Sequence, residues 1–227
     1  CAIITEGMDT RGSNRTPSMY QKIRKRIEEV IAITPANVGI FCGSYTILNS
    51  LLKDDQIRDM IIPMARKYGK RLFIENPANS ARKNNEMLDQ FKSSSKGTGA
   101  VLFGVCGGKN SEGEDYPGDF MNAVVIVGVP YPLQTPRVKA KIEYYDKKFK
   151  GRGWNYTYLY PTMQRANQAS GRPIRKETDR GVIIFLDERF KQRKLFNWIS
   201  EWIRKELRIL PDRKNNIRAL LQKFWDI

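Results

Sequence analysis

The sequence has no histidine among its 227 residues, and its three cysteines are far apart. The lack of histidine excludes Ser-His-Asp triads, histidine acid–base catalysis and histidine metal sites. Three cysteines without a CxxC pair disfavour a disulfide scaffold, a four-cysteine zinc site and a self-contained iron–sulfur cluster. Because Cys42 and Cys106 lie in apolar runs, we expect both to be buried, reduced thiols.

Long apolar segments and acidic residues are also scarce. No apolar run reaches the roughly 18 residues that a membrane helix needs, and no secretory signal is present, so we expect an intracellular protein without a membrane partner. The 24 acidic residues are outnumbered by 40 Lys and Arg, which gives a net charge of +16. This charge predicts a polyanionic partner, with nucleic acid ahead of an acidic membrane surface. The chain begins at Cys1 rather than at a methionine, which suggests a piece of a longer protein.

Short apolar runs alternate with helical patterns along most of the chain. The expected strands are 2–5, 38–42, 71–75, 100–105, 123–129 and 181–186. The expected helices are one beginning at Met19 behind an N-cap at Ser18, one capped by Ser44 that runs to Leu52, and others over 56–68, 81–91, 195–207 and 216–225. The run at 123–129 is apolar throughout, as in a strand covered on both faces. The pattern predicts an α/β sandwich with a mostly parallel sheet, whose ligands gather at the carboxyl ends of the strands.

Residues 130–153 combine positive charge with aromatic side chains that continue to Tyr160. The cations are Arg137, Lys139, Lys141, Lys147, Lys148 and Lys150. Cations can follow a phosphate backbone while aromatic rings stack on unpaired bases, so this segment is a candidate DNA contact. The alternative is a solvated basic helix whose aromatic residues turn into the core.

A glycine-rich turn at 105–119 directly follows a predicted strand. Its glycines can expose successive N–H groups to a phosphate, whereas Glu112, Glu114 and Asp115 repel an anion. An ordinary surface loop is the alternative. Neither GxxxxGK[ST] nor GxGxxG occurs in the sequence, so a complete nucleotide site is not encoded in this chain.

A second candidate segment, 168–175, reads QASGRPIR. Pro173 predicts that a helix ends at or before Arg172 and leaves Arg175 on a loop. Arginine presents a planar, permanently charged fork that suits phosphate oxygens, so the two arginines could neutralise charge in phosphoryl transfer. The alternative is a pair of surface arginines bound to carboxylates.

The order and spacing of these segments resemble the C-terminal motor domain of the XPD/DinG family of superfamily 2 DNA helicases. The family's fifth motif, G-K-x-S-E-G-x-D, is matched within 108–115, and its sixth, Q-x-x-G-R-x-x-R, within 168–175. The FCGSY sequence at 41–45 resembles the fourth motif. The resemblance implies that residues 1–227 form the second RecA-like domain of a helicase, a three-layer α/β sandwich that lacks the phosphate loop.

The resemblance also implies roles for individual residues. Arg175 is expected to be an arginine finger, with Arg172 and Gln168 beside the nucleotide. The expected nucleotide-binding positions are Gly113, Asp115 and Gly171. The expected contacts to single-stranded DNA are Ser44, Tyr45, Lys109, Ser111 and Glu112. No metal ligand is expected in this chain.

Helicases of this family use ATP and Mg²⁺ and move 5′ to 3′, and many carry an iron–sulfur cluster in their N-terminal half. We therefore expect ATP and Mg²⁺ to be held mainly by an N-terminal motor domain, and we expect this chain alone to lack ATPase activity. The expected partners are that motor domain and single-stranded DNA. The alternative is a non-catalytic nucleic-acid-binding or protein-docking module; an RNA-binding domain is disfavoured because no RRM, KH or double-stranded-RNA signature occurs.

Overall fold

The computed structural model describes residues 1–52 and 63–227. These residues form a seven-stranded sheet with helices on both faces. The strands are β1 (Ala2–Thr5), β2 (Val38–Cys42), β3 (Arg71–Ile74), β4 (Ala100–Val105), β5 (Ala123–Val127), β6 (Val182–Leu186) and β7 (Leu207–Leu210). Their order is β3-β4-β2-β5-β6-β1-β7, and all six neighbouring pairs are parallel. The predicted α/β fold with a parallel sheet is therefore confirmed.

The helices form the two outer layers. They are α1 (Pro17–Ile33), α2 (Tyr45–Leu52), α3 (Ala81–Ser93), α4 (Lys109–Glu112), α5 (Pro136–Lys148), α6 (Tyr160–Ser170), α7 (Arg193–Phe196), α8 (Glu201–Lys205) and α9 (Asn216–Trp225). A π-helical turn, Asn155–Leu159, leads into α6. No helix of the described residues is both long and apolar enough to cross a membrane.

The central strands are buried on both faces because their side chains alternate between two cores. Val125 faces the core that contains α1, α2 and α9, whereas its neighbours Val124 and Ile126 face the core that contains α3 and α6. All five residues of β5 are buried, as the unbroken apolar run predicts. The strand ends at Val127 rather than residue 129, because Gly128 leaves the extended conformation at φ +80°.

Two helix predictions need correction. Thr16, not Ser18, caps α1: its Oγ1 accepts a hydrogen bond from the Met19 amide, and Pro17 takes the first helical position. The expected single helix over 195–207 is wrong, since α7 and α8 are separate and Leu207 begins the edge strand β7. Asn167 causes the break, because its side chain accepts from the Ser200 amide and donates to the Trp198 carbonyl.

The other helix predictions agree with the structure where it can be compared. Ser44 caps α2 as expected, since its Oγ accepts a hydrogen bond from the Ile47 amide at 3.3 Å. Helices α3 and α9 lie where periodicity predicts them. The prediction for 56–68 falls largely outside the described residues.

Gly99 offers a test of how tightly β2 and β4 are joined. It has φ +88°, and a Cβ there would collide with the Ala36 carbonyl. Gly99→Ala should lower the free energy of unfolding by at least about 2 kcal/mol, through backbone strain and overpacking. Gly12→Ala is the control, because nothing lies within 4 Å of a Cβ there. Urea denaturation that gave both variants the same stability would contradict this account.

Candidate functional site

The glycine-rich turn begins at the carboxyl end of β4, whereas the 168–175 segment ends α6 and lies close to the start of β6. Arg172 joins the two segments. Its Nε donates to the Ser111 carbonyl at 2.8 Å, and its two terminal nitrogens donate to the carbonyls of Glu112 and Glu114. Arg172 is only 7% exposed. Burial and the charge of Arg175 lower the pKa of Arg172, but arginine starts so far above neutrality that it stays charged. Arg172 therefore holds the backbone of the glycine-rich turn through three of its carbonyl groups.

Arg175 lies on the loop after α6, as Pro173 predicts. Its Nε pairs with Asp115 Oδ1 at 2.6 Å, and its side chain is 34% exposed. The carboxylate of Asp179 accepts hydrogen bonds from the amides of Arg175 and Lys176, which holds this loop in place. The second arginine of the segment is thus oriented by the glycine-rich turn yet accessible to a ligand.

The remaining predicted nucleotide residues surround these two arginines. Gln168 is exposed on the last turn of α6, and Gly171 caps that helix. Gly113 caps the short helix α4 and is exposed, as is Asp115. The printed contacts between the two distant segments join Arg172 to Ser111 and Glu112, and Arg175 to Asp115.

The predicted DNA contacts differ in exposure. Lys109 and Glu112 are exposed on α4, and Lys109 Nζ donates to the Asn79 carbonyl at 3.1 Å. Ser111 is fully buried, with its Oγ donating to the Gly108 carbonyl at 3.2 Å. Ser44 and Tyr45 begin α2 directly after β2, one strand away from the glycine-rich turn.

Glu75 and Asn110, at the carboxyl edge of the sheet, were not anticipated from the sequence. Glu75, which follows β3, accepts a hydrogen bond from the Tyr45 hydroxyl at 2.7 Å and another from Asn110 Nδ2 at 2.9 Å. Burial and Glu75 raise the pKa of Tyr45, so its hydroxyl remains a donor. The only sequence signal was a carboxylate at the end of an apolar strand.

Cys42 and Cys106 lie in the core, where their apolar surroundings predict them. Cys42 and Cys106 are buried free thiols whose pKa values are raised by burial, so the prediction of buried, reduced thiols is confirmed. Within residues 1–52 and 63–227, no group of three or more acidic or cysteine side chains could hold a metal ion.

Helix α5 and the π-helical turn form a second surface, which we call the aromatic ladder. Phe149 stacks on Tyr156 at 4.3 Å between ring centroids, Tyr156 contacts Tyr160 at 5.1 Å, and Tyr160 contacts Trp198 at 4.5 Å. All 13 residues of α5 remain at least partly exposed, and Tyr144 is 58% exposed. The rings attach a basic helix to the domain while leaving aromatic area accessible.

The parallel sheet, its two helical layers and the loops at its carboxyl edge define a RecA-like domain of the kind found in helicase motors. Residues 27–206 match the model of the helicase C-terminal domain family, and the chain belongs to that family. The resemblance to the C-terminal domain of XPD-like superfamily 2 helicases is thereby confirmed.

Named relatives and solved structures are consistent with this family. The chain is 30% identical over 219 residues to the ATP-dependent DNA helicase CHL1 of Kluyveromyces lactis, covering 91% of this chain and 26% of the relative. It is 31% identical over 199 residues to the Drosophila melanogaster homolog of regulator of telomere elongation helicase 1, covering 84% and 20%. A solved XPD helicase superposes with a TM-score of 0.70 at 19% identity, covering 92% of this chain and 35% of that one. The chain thus spans about a quarter or less of these curated relatives.

The two arginines should differ sharply in their contribution to stability. Arg172→Ala leaves three carbonyls of the turn without their donor and should cost about 3 kcal/mol or more of unfolding free energy. Arg175→Ala removes a partly exposed ion pair and should cost less than about 1 kcal/mol. Chemical denaturation of both variants tests this, and equal losses would show that Arg172 does not brace the turn.

Proposed function

We propose that this chain is the C-terminal motor domain of an ATP-dependent DNA helicase, and that it completes an ATP site with an N-terminal motor domain of the same protein. The observation that carries the proposal is the joining of the two family motifs: Arg172 and Arg175 both bind the glycine-rich turn. The match to the helicase C-terminal domain family and the names of the relatives support it. Such a protein would act inside the cell, where its DNA substrate lies.

Arg175 is the proposed arginine finger. Its pairing with Asp115 places a guanidinium at the edge of the domain, and its partial exposure leaves nitrogen atoms free to bind phosphate oxygens. A phosphate group that competes with Asp115 would draw the side chain outward without moving the backbone, which Asp179 holds. Charge developing on a transferred phosphoryl group would then be neutralised by a permanently charged side chain.

Apart from Arg172, the other proposed nucleotide-binding residues near Arg175 carry no positive charge, so they would contact the nucleotide through polar or backbone groups. Gln168 offers an exposed amide, and Gly113, Asp115 and Gly171 lie where a ribose or phosphate could approach. Arg172 is proposed to act through the turn that it holds, because its donors already bind carbonyl groups. ATP, when bound, supplies the phosphoanhydride whose hydrolysis drives the cycle, and we propose that the N-terminal motor domain provides the Mg²⁺ ligands.

The DNA track is proposed to follow the carboxyl edge of the sheet. Ser44, Tyr45, Lys109 and Glu112 present polar and aromatic groups there, whereas buried Ser111 would contribute through its backbone. Residues 130–153 would extend the track with positive charge and the aromatic ladder. Translocation from 5′ to 3′ is part of the proposal and depends on both motor domains.

A non-catalytic nucleic-acid-binding module is the second candidate. The burial of Arg172 and the ion pair of Arg175 with Asp115 favour it, because structural arginines show the same features. The two candidates differ in whether ATP turnover depends on Arg175.

Replacing Arg175 separates these candidates. In the full-length protein, Arg175→Ala should lower the ATPase rate by about 10³- to 10⁵-fold, the range typical of a lost arginine finger, while DNA affinity is retained. Arg180→Ala is the matched control, since Arg180 lies on the same connection and pairs with Asp226 on the surface. Near-normal turnover of the Arg175 variant, measured by phosphate release, would favour the non-catalytic module.

The basic segment has a separate test. Replacing Lys139, Lys141 and Lys147 by Gln should weaken single-strand binding and reduce the slope of log affinity against log salt by about 2, given about 0.7 per neutralised phosphate. Replacing the exposed Lys25, Lys96 and Lys214 makes the same change of net charge elsewhere. If fluorescence anisotropy titrations gave both triple variants the same slope, 130–153 would not be a DNA contact.

A further inference from the structure

Glu75 is a buried carboxylate at the carboxyl edge of the sheet that the proposed chemistry does not use. It is 5% exposed, and its amide donates to the Phe103 carbonyl at 2.7 Å, which extends the pairing of β3 with β4. Its two oxygens accept hydrogen bonds from neutral groups on different elements, the Tyr45 hydroxyl on α2 and the Asn110 amide on α4. Burying a carboxylate is costly unless hydrogen bonds compensate, so this position is strongly constrained.

The glycine-rich turn is shaped around this carboxylate. A Cβ at Gly104 would lie 2.8 Å from Glu75 Oε2, and one at Gly108 would collide with Oε1. Both glycines therefore leave room for a side chain of the protein itself. A side chain on Gly108, the glycine at the start of the G-K-x-S-E-G-x-D motif, would have to displace the Glu75 carboxylate.

The hydrogen bonds continue from Glu75 through the turn to Arg172. Asn110 is fully buried, its Oδ1 accepts from Asn84 Nδ2 at 3.0 Å, and its carbonyl accepts from the Tyr116 hydroxyl at 2.9 Å. The next residue, Ser111, offers the carbonyl that Arg172 Nε binds. An unbroken connection therefore runs from partly exposed Tyr45 to the arginine segment.

We propose that Glu75 is a positioning residue that couples Tyr45 to the glycine-rich turn. The inference rests on the proposed function, in which Tyr45 contacts single-stranded DNA and the turn responds to nucleotide. Displacing either end would leave a buried carboxylate oxygen without its donor, so the two ends hold one another in place. Glu75 would thus transmit the state of the turn to the DNA-contacting side chain.

The neighbouring amides predict that glutamine can replace Glu75. A glutamine oxygen can accept from Tyr45, and its NH₂ can donate to Asn110 once that amide reverses. Asn84 Oδ1 is buried without a hydrogen-bond partner among the described residues, so it can accept from the reversed Asn110 after its own reversal. Glu75→Gln should therefore keep the connection, whereas Glu75→Ala removes it.

Single-strand affinity of the full-length protein, measured without ATP, gives the first test. Tyr45→Phe keeps the ring and removes the hydroxyl, so it should weaken binding about as much as Glu75→Ala, by about 3- to 10-fold. The double variant should be no weaker than either single variant, because both break the same link. Glu75→Gln should bind within about 2-fold of wild type. Additive losses, wild-type affinity of Tyr45→Phe, or failure of the wild type to bind single strands would overturn the proposal.

DNA-stimulated ATPase gives the second test. The ratio of stimulated to basal rate should fall about 10-fold in Glu75→Ala and Tyr45→Phe and recover in Glu75→Gln. Asn84→Ala removes the hydrogen bond that Asn110 Oδ1 accepts but leaves the link between Tyr45 and Glu75, so it controls for lost stability. Its ratio of stimulated to basal ATPase rate should stay near that of the wild type. If Asn84→Ala lost as much stimulation as Glu75→Ala, Glu75 would have only a structural role.

The two tests also separate this inference from the proposed function. A wild-type protein that binds single strands but does not hydrolyse ATP contradicts the helicase proposal, while the affinity comparison still decides the role of Glu75. If Glu75→Ala does not fold, as judged by thermal unfolding, Tyr45→Phe and Glu75→Gln decide the question without it.

Discussion

The contact between the glycine-rich turn and the 168–175 segment depends on the guanidinium of Arg172. Three carbonyls of one short turn point at the same buried cation, so the turn cannot change its backbone without leaving a polar group unpaired. Arg175 is placed by the same contact, since the turn that Arg172 holds carries Asp115. Buried Arg172 thus fixes the turn whose Asp115 pairs with the accessible Arg175.

The glycines in and beside the glycine-rich turn can be explained in two ways, by phosphate binding or by close packing against Glu75. Glycines after a parallel strand are usually interpreted as a phosphate cradle, and exposed Gly113 remains compatible with that role. Gly104 and Gly108, however, lie against the Glu75 carboxylate, which occupies the volume where their side chains would be. The turn is therefore packed against an internal anion on one side and presents Lys109, Glu112 and Asp115 on the other.

The positive charge of the molecule lies mainly outside the two apolar cores. The central strands are apolar because helices cover both faces of the sheet, so most Lys and Arg side chains lie outside the two cores. Helix α5 is an extreme case, since aromatic contacts rather than buried aliphatic residues attach it to the domain. The aromatic side chains that follow and line this helix differ: Tyr158 turns inward and donates to the Pro132 carbonyl at 2.7 Å, whereas Tyr144 remains largely exposed. Contact of 130–153 with DNA stays a prediction.

The amino-acid sequence alone determined the α/β class, six of the seven strands, the buried, reduced cysteines and the end of α6 before Arg172. These features depend on local patterns: continuous apolar runs, helical periodicity and the geometry of proline. The edge strand β7 was missed because its four residues continue the helical spacing of the preceding segment, and only pairing with β1 makes them extended. The burial of Arg172 and Ser111, the Arg175–Asp115 pair and the hydrogen bonds of Glu75 were decided by tertiary structure, because each depends on groups brought together from strands and helices distant in the chain.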